Sequence, residues 1–344
     1  MANSNKWNIF VKIADYHWAL TSKKKKYLNL FIKLGITGAA FWFIYKKVND
    51  QTSLQQFQKL TDSMDPYIMK WVLFSVLMLM FVNWFLEVGK WFYLVKKLER
   101  ISFWKATQSV FAGLTWAVFT PNRIGEYGGR IMLLKPGNRA KGAVSMGVGQ
   151  FAQLVLTSVA GALSIAWFVS TYLETPESVQ FGVWLIAILY AGAFLVIYYN
   201  VHWIDKFVSK FKFLKKIQSS FSVLQGFSNR ELSWVLFISL SRFLIFTSQY
   251  LILMLVILPE LPFLPMLFMI FILFFIQSAL PSLDLFDFSV RSFVASNLYS
   301  YITNQEIAVM AIVSCIWFVN IILPAILGSF FVLRTNYLGE GNAA

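Results

Sequence analysis

The sequence predicts an all-α polytopic membrane protein of about six full spans and two re-entrant hairpins, arranged as an inverted-topology repeat. Three observations lead there. Apolar runs of spanning length recur along nearly all 344 residues, basic residues gather between alternate runs, and a proline-broken polar motif interrupts the apolar pattern once in each half. The chain is 58% hydrophobic and only 13% charged, whereas soluble domains carry about a quarter charged residues. No stretch is large and polar enough to form a separate water-soluble catalytic domain.

Residues 1–66 read as an N-terminal cytoplasmic segment, a first span and a loop. In WNIFVKIADYHWAL, Trp7, Phe10, Val11, Ala14 and Trp18 fall at helical spacing, which fits an interfacial helix as well as it fits a solubilising basic tail. Lys23 to Lys26 precede the apolar run 27–45, which lacks a small-residue cleavage site and so should stay as an anchor. Further spans are expected at 67–95, 142–172, 179–200, 233–258 and 306–333, each able to cross a ~30 Å core at about 1.5 Å per residue.

Basic clusters at Lys23–Lys26, Lys90–Arg100, Lys135–Lys141 and Lys206–Lys216 alternate with loops that carry Glu174, Glu177 and Glu260. Counting spans from an inside N-terminus puts every basic cluster, and Arg334, on the cytoplasmic side of the cell membrane. Repeat 1 covers 67–200 and repeat 2 covers 233–335, ahead of a tail at 336–344. The connection 201–232 places Phe207, Phe211, Leu214, Phe221 and Leu224 on one helical face, as expected of an amphipathic segment lying on anionic headgroups.

Two apolar segments, 103–120 and 261–283, need another explanation. After the first comes FTPNRIGEYGGR, and the return arm offers only Ile131 to Leu134 as an uninterrupted apolar stretch, too short to span. A re-entrant hairpin near 103–136, broken at Thr120-Pro121 and returning as a short helix from about Asn122, resolves this. Irregular backbone at membrane depth is tolerated where it is buried in protein or lines a wet cavity. Gly125, Gly128 and Gly129 should allow close backbone approach, and the helix start should offer unpaired N–H groups. With Arg123 and Arg130 added, the motif suits an anion.

ALPSLDLFDFSVR repeats the design in the second half. Pro281 corresponds to Pro121, and Asp287 and Arg291 stand four apart like Glu126 and Arg130. A second hairpin near 261–303 would open outward where the first opens inward, the signature of an inverted repeat whose broken helices meet at the midplane. Two full spans at 261–303 would give the same parity. Asp284 reads as a helix N-cap more readily than as a metal ligand. The run GAVSMGVGQ, with small residues at Ala143/Gly147 and Ser145/Gly149, reads as close packing against the first hairpin.

Three charges lie inside predicted spans, where insertion costs ~2.5–3.5 kcal/mol near the centre. Glu87 and Lys90 are spaced to pair on one helix face, although Lys90 could equally snorkel to the interface, and Arg242 can snorkel or face a cavity. Glu126/Arg130 and Asp287/Arg291 read either as structural pairs or as substrate contacts. Nucleic acid is excluded as a partner despite the net charge of +14, because the basic residues flank spans instead of forming a free stripe. One cysteine, Cys315, and two histidines leave no metal site or cofactor to expect.

PNRIGEYGGRIMLL resembles the Pro-x-Arg-x-Gly-Glu motif of the flippase-like membrane family related to the lipid-translocating half of lysylphosphatidylglycerol synthases. The resemblance runs from about residue 67 to 333, and Pro121, Arg123, Gly125 and Glu126 match directly. Arg130 stands one position beyond the family's usual arginine. In the second motif Pro281, Ser282, Val290 and Arg291 fit, whereas the glycines are missing and Ser292 replaces a glutamate. No aminoacyl-transferase domain follows, so the resemblance implies translocation, not lysyl-lipid synthesis.

The leading expectation is a translocator whose Arg123, Arg130 and Arg291, with Glu126, Asp287, Lys90 and Arg242, hold the anionic headgroup of a phospholipid or polyprenyl-phosphate-linked lipid. The runners-up are a membrane-embedded transferase using Glu126 or Asp287 as general base, and a non-transporting scaffold for lipid-biosynthesis enzymes. No nucleotide-binding motif is present, which leaves an ion gradient or downhill scrambling as the drive.

Overall fold

The computed structural model describes residues 65–120, 123–211, 215–279 and 287–334, with Tyr27, Phe31, Gln55 and Asp62 singly. The expected interfacial helix, the first span at 27–45, Pro121, Pro281, Asp284 and the tail 336–344 lie outside the described residues. For Asp287 only the backbone is described.

The described residues form helices throughout. α1 (Pro66–Val95), α2 (Phe103–Val118), α3 (Ile124–Ile131), α4 (Arg139–Tyr172) and α5 (Glu177–Tyr199) make up the first half. Two short helices, α6 (His202–Ser209) and α7 (Lys215–Phe221), lead to α8 (Asn229–Ile257), α9 (Phe263–Ala279), α10 (Asp287–Tyr299), α11 (Glu306–Trp317) and α12 (Leu323–Arg334). Among the described residues five stretches are long and apolar enough to cross a membrane: α1, α4, α5, α8, and α11 continued into α12. The chain is a polytopic membrane protein, with span limits close to those expected from hydropathy.

Local chemistry sets the boundaries. Asp65 caps α1 by accepting Tyr67 N at 2.8 Å, and Pro66 follows at the first helical position, where no N–H is needed. Ser102 caps α2, and Ser228 with Glu231 forms a reciprocal capping box on α8. A π-turn at Phe318–Ile322 joins α11 to α12 just before Pro324. Thr115 on α2 donates to Ala325 O at 2.8 Å, which compensates backbone loosened by the break.

Contacts at the helix ends fix the sense of each element. Lys97, just after α1, meets Glu231 at the start of α8 at 2.6 Å. Glu99 accepts Lys135 N at 3.0 Å and Asn138 Nδ2 at 2.9 Å, and lies 3.9 Å from Lys105 Nζ near the start of α2. The hairpin α2–α3 therefore begins and ends at the basic end of the bundle. At the opposite end Glu260 accepts Gln305 Nε2 at 3.0 Å, and Tyr299, closing α10, donates to Met266 O near the start of α9 at 3.2 Å. The hairpin α9–α10 opens there.

The halves also exchange arms. α2 lies along α12, and α9 along α4, while α1 packs on α8. Each exchange is made close by a glycine. A Cβ on Gly328 would stand 2.0 Å from Phe111 O, and one on Gly161 would stand 2.3 Å from Phe275 Cβ. Contacts this close bring backbones together where lipid supplies no hydrophobic drive.

Two expectations need correction. Of the face expected along 201–232, Leu214 lies outside the described residues and the others do not share one side: α6 keeps Phe207 outward and Phe211 follows it outward, whereas Phe221 and Leu224 turn in against α4. The chain breaks at Lys210–Phe211 and again into a 3₁₀ turn at Ser222–Gly226, so its helical phase is lost. The small-residue run of α4 also divides by face. Gly142 meets Leu134 of the hairpin's return arm and Gly149 meets Leu94 of α1, but Gly147 has open space and lines a cleft with Ala143.

Candidate functional site

The tip of the first hairpin is built by a tight reversal. Thr120 donates to Trp116 O at 3.1 Å and accepts Gly125 N at 2.7 Å, so the start of α3 is capped by a hydroxyl and its N–H groups are less open than the sequence suggests. Arg123 takes the left-handed conformation, with φ 56°, and is the only non-glycine residue to do so among the described residues. Holding a residue that bears a Cβ there costs ~1 kcal/mol or more, which the surrounding contacts must offset.

α3 then lies against α2 at near backbone contact. A Cβ on Gly129 would stand 2.6 Å from Gly113 Cα, and one on Gly125 would stand 2.3 Å from Trp116 O. Gly128 has nothing within 4 Å, so the close approach expected of all three glycines belongs to Gly125 and Gly129 alone. Their tight crossing carries Glu126 and Arg130, one turn apart, into the interior.

There they meet charges from α1 and α8 and a backbone carbonyl from α4. Glu87 on α1 is the centre: its carboxylate contacts Arg130 Nη1 at 2.6 Å, Lys90 Nζ at 2.8 Å and Arg242 Nη1. Glu126 binds Arg130 Nη2 and accepts Arg123 Nε at 3.0 Å. Arg242 Nε also donates to Asn83 Oδ1 at 2.9 Å, and Lys90 Nζ lies 3.4 Å from Gly149 O on α4. Glu87, Lys90, Glu126 and Arg130 are all at most 4% exposed. Lys90 therefore pairs in place instead of snorkelling, and Arg242 turns to the protein interior.

Two features of this cluster bear on its chemistry. Among the described residues four cationic side chains, Lys90, Arg123, Arg130 and Arg242, face the two carboxylates Glu87 and Glu126, and the three most enclosed, Lys90, Arg130 and Arg242, already outnumber them. Three buried donors in the cluster, Trp84 Nε1, Trp91 Nε1 and Arg130 Nε, have no acceptor among the described residues. The indoles belong to the same assembly, since Arg242 sits 5.4 Å from the Trp84 ring and Arg130 5.9 Å from that of Trp91. Surplus cations and unanswered N–H groups in a low-dielectric interior favour an anion.

Of the residues singled out in the sequence, Lys90, Arg123, Glu126, Arg130 and Arg242 come together. Arg291 belongs to the other hairpin, where Nη1 donates to Gln277 Oε1 of α9 at 2.9 Å. Its expected pairing with Asp287, and the roles of Pro121 and Pro281, fall on residues outside the description. Glu87 pairs with Lys90 as its spacing predicts, but its contacts with Arg130 and Arg242, and the places of Asn83, Trp84 and Trp91 beside them, go beyond what the sequence marks. Their spacing over two turns of α1 was the available signal, because 83, 84, 87, 90 and 91 share one face.

Comparison with protein families gives a match to the family described as Lysylphosphatidylglycerol synthase TM region, over residues 30–328. Comparisons with curated proteins and with solved structures give no match.

Proposed function

The chain belongs to the family of the lysylphosphatidylglycerol synthase TM region, and on that premise we propose that it translocates a lipid with an anionic headgroup across the cytoplasmic membrane. Family membership ties the protein to membrane lipid. What supports translocation is the buried cluster, in which, among the described residues, Lys90, Arg130 and Arg242 outnumber the carboxylates of Glu87 and Glu126 and three donors lack acceptors. A phosphate group supplies the missing charge and the missing acceptors together.

In this reading both hairpins are re-entrant and related by an inverted repeat, with the basic end cytoplasmic. Glu87 and Glu126 hold Arg130 and Arg242 while no substrate is bound, and the phosphate draws the guanidinium groups away from them. Arg123, at 34% side-chain exposure, is the first cation a headgroup meets. The acyl or prenyl chains remain in lipid. Nothing in this cycle needs a nucleophile or a leaving group, which separates it from the transferase reading.

Liposomes containing the purified protein and fluorescent phosphatidylglycerol test the proposal. Quencher added outside should reach the inner-leaflet probe only when protein is present, and mass spectrometry should find the lipid unmodified. A chemically altered lipid without redistribution would overturn it.

A further inference from the structure

A second feature lies on the far side of α4 from the charge cluster. Gly149 offers its carbonyl to Lys90, but Gly147 and Val148 face the other way, into a cleft of about 350 Å³. Ala143, Gly147 and Phe151 form one wall, and Ile204, Phe221 and Leu224 form the other. In the second wall Gln225 Nε2 donates to Asp205 Oδ2 at 2.6 Å, which ties α6 to the 3₁₀ turn carrying Leu224. Every side chain of the lining is apolar.

Charge and position identify the occupant. The cleft is at the basic end of the bundle, where α6 presents Trp203 and Phe207 outward together with Lys206 and Lys210. Aromatic rings beside lysines are the pattern of a segment seated at headgroup depth on an anionic leaflet. Lys141 completes the arrangement on α4. It stands one turn before Val144 and shares a face with Val148 and Phe151, which puts a cation at the mouth of an apolar slot.

We infer that this cleft binds one acyl chain of an anionic phospholipid of the cytoplasmic leaflet, with its headgroup held by Lys141. The site is separate from the translocation site. A lipid seated there bears on α4, whose Gly149 carbonyl faces Lys90 of the charge cluster on the other side.

Full-length protein in nanodiscs of equal parts phosphatidylglycerol and phosphatidylcholine tests this, with either lipid carrying a photoactivatable diazirine at the tail end. The phosphatidylglycerol probe should label peptides spanning 143–151 and 201–211. Gly147→Leu should abolish that labelling, since a side chain there enters open space and fills the slot without a clash at Cβ. Labelling on lipid-facing Phe181 and Ile186 should persist. Lys141→Gln should lower the preference for phosphatidylglycerol about fivefold, as expected for one lysine near an anionic leaflet. This rim variant decides the matter even if Gly147→Leu does not fold. Equal labelling by both lipids in the wild type, or a preference unchanged in Lys141→Gln, would overturn the inference. Neither readout depends on translocation, so a failure here leaves the function proposal standing.

Discussion

The carboxylate of Glu87 accepts Arg130 Nη1 at 2.6 Å across 43 residues of sequence, and through this contact α1 holds the return arm of the first hairpin. The same carboxylate reaches Arg242 on α8, so the two halves share one anion. Glu87→Gln keeps the shape and removes the charge from among three cations. Breaking a buried pair from one side costs ~3–5 kcal/mol, because the partner charges remain buried. The variant should unfold at a clearly lower temperature in detergent, followed by tryptophan fluorescence. Adding Arg242→Gln should cost less than the sum of the single losses. An unchanged melting temperature would remove Glu87 from its central place.

Gly128 and Gly129 give a matched pair of variants within one turn of α3. Alanine at 129 would place a Cβ 2.6 Å from Gly113 Cα, and backbone cannot yield as a side-chain tip can. Alanine at 128 meets nothing within 4 Å and gains up to ~1 kcal/mol of helix propensity. Gly129→Ala should lower thermal stability and transport together. Gly128→Ala should match or exceed the wild type in stability. Similar behaviour of the two would mean that the α2–α3 crossing is looser than the geometry shows.

The spans and the shortness of the return arm were legible because hydrophobic length is a local property: α1 begins within a residue of its expected start, and α3 is too short to cross. The i,i+3 and i,i+4 pairs at Glu87/Lys90 and Glu126/Arg130 were legible for the same reason. Joining them was not. Arg242 stands 155 residues from Glu87, and no periodicity reports a contact between helices of different halves. The 201–232 connection departs from a single apolar face because its apolar spacing runs across breaks at Phe211 and Ser222, where helical phase restarts.

Topology can be checked with introduced cysteines, since the native Cys315 is buried and should give little background. Glu99 contacts both the start of α2 and the residues after α3, so Arg100 and Lys141 should lie on the same side of the membrane. Cysteines at both positions should react with an impermeant maleimide only from the cytoplasm. A cysteine at Glu260 or Gln305 should react only from outside, as their mutual contact marks the opposite end. Labelling of Lys141→Cys from outside would make α2 and α3 part of a different topology.

Arg123 combines a strained backbone with a half-exposed charge, and its variants separate the two. Glycine at 123 accepts φ 56° at no steric cost and should hold or raise stability by up to ~1 kcal/mol, although the pair with Glu126 is lost. Transport should nevertheless fall to near background if, as proposed, Arg123 is the first cation that a headgroup meets. Arg123→Lys keeps a point charge without the planar fork, so part of the activity should survive. Arg123→Ala loses the charge and keeps the strain, and should be both less stable than Arg123→Gly and equally inactive. Glu126→Gln adds the remaining distinction. If Glu126 only orients Arg123 and Arg130, transport per folded molecule should persist while stability drops; if it also carries a proton, the protein should fold and lose its dependence on a pH gradient. Flipping assays run with and without the gradient, normalised to folded protein, read all four variants on one scale. Full transport in well-folded Arg123→Gly would show that the hairpin tip shapes the bundle without touching the lipid.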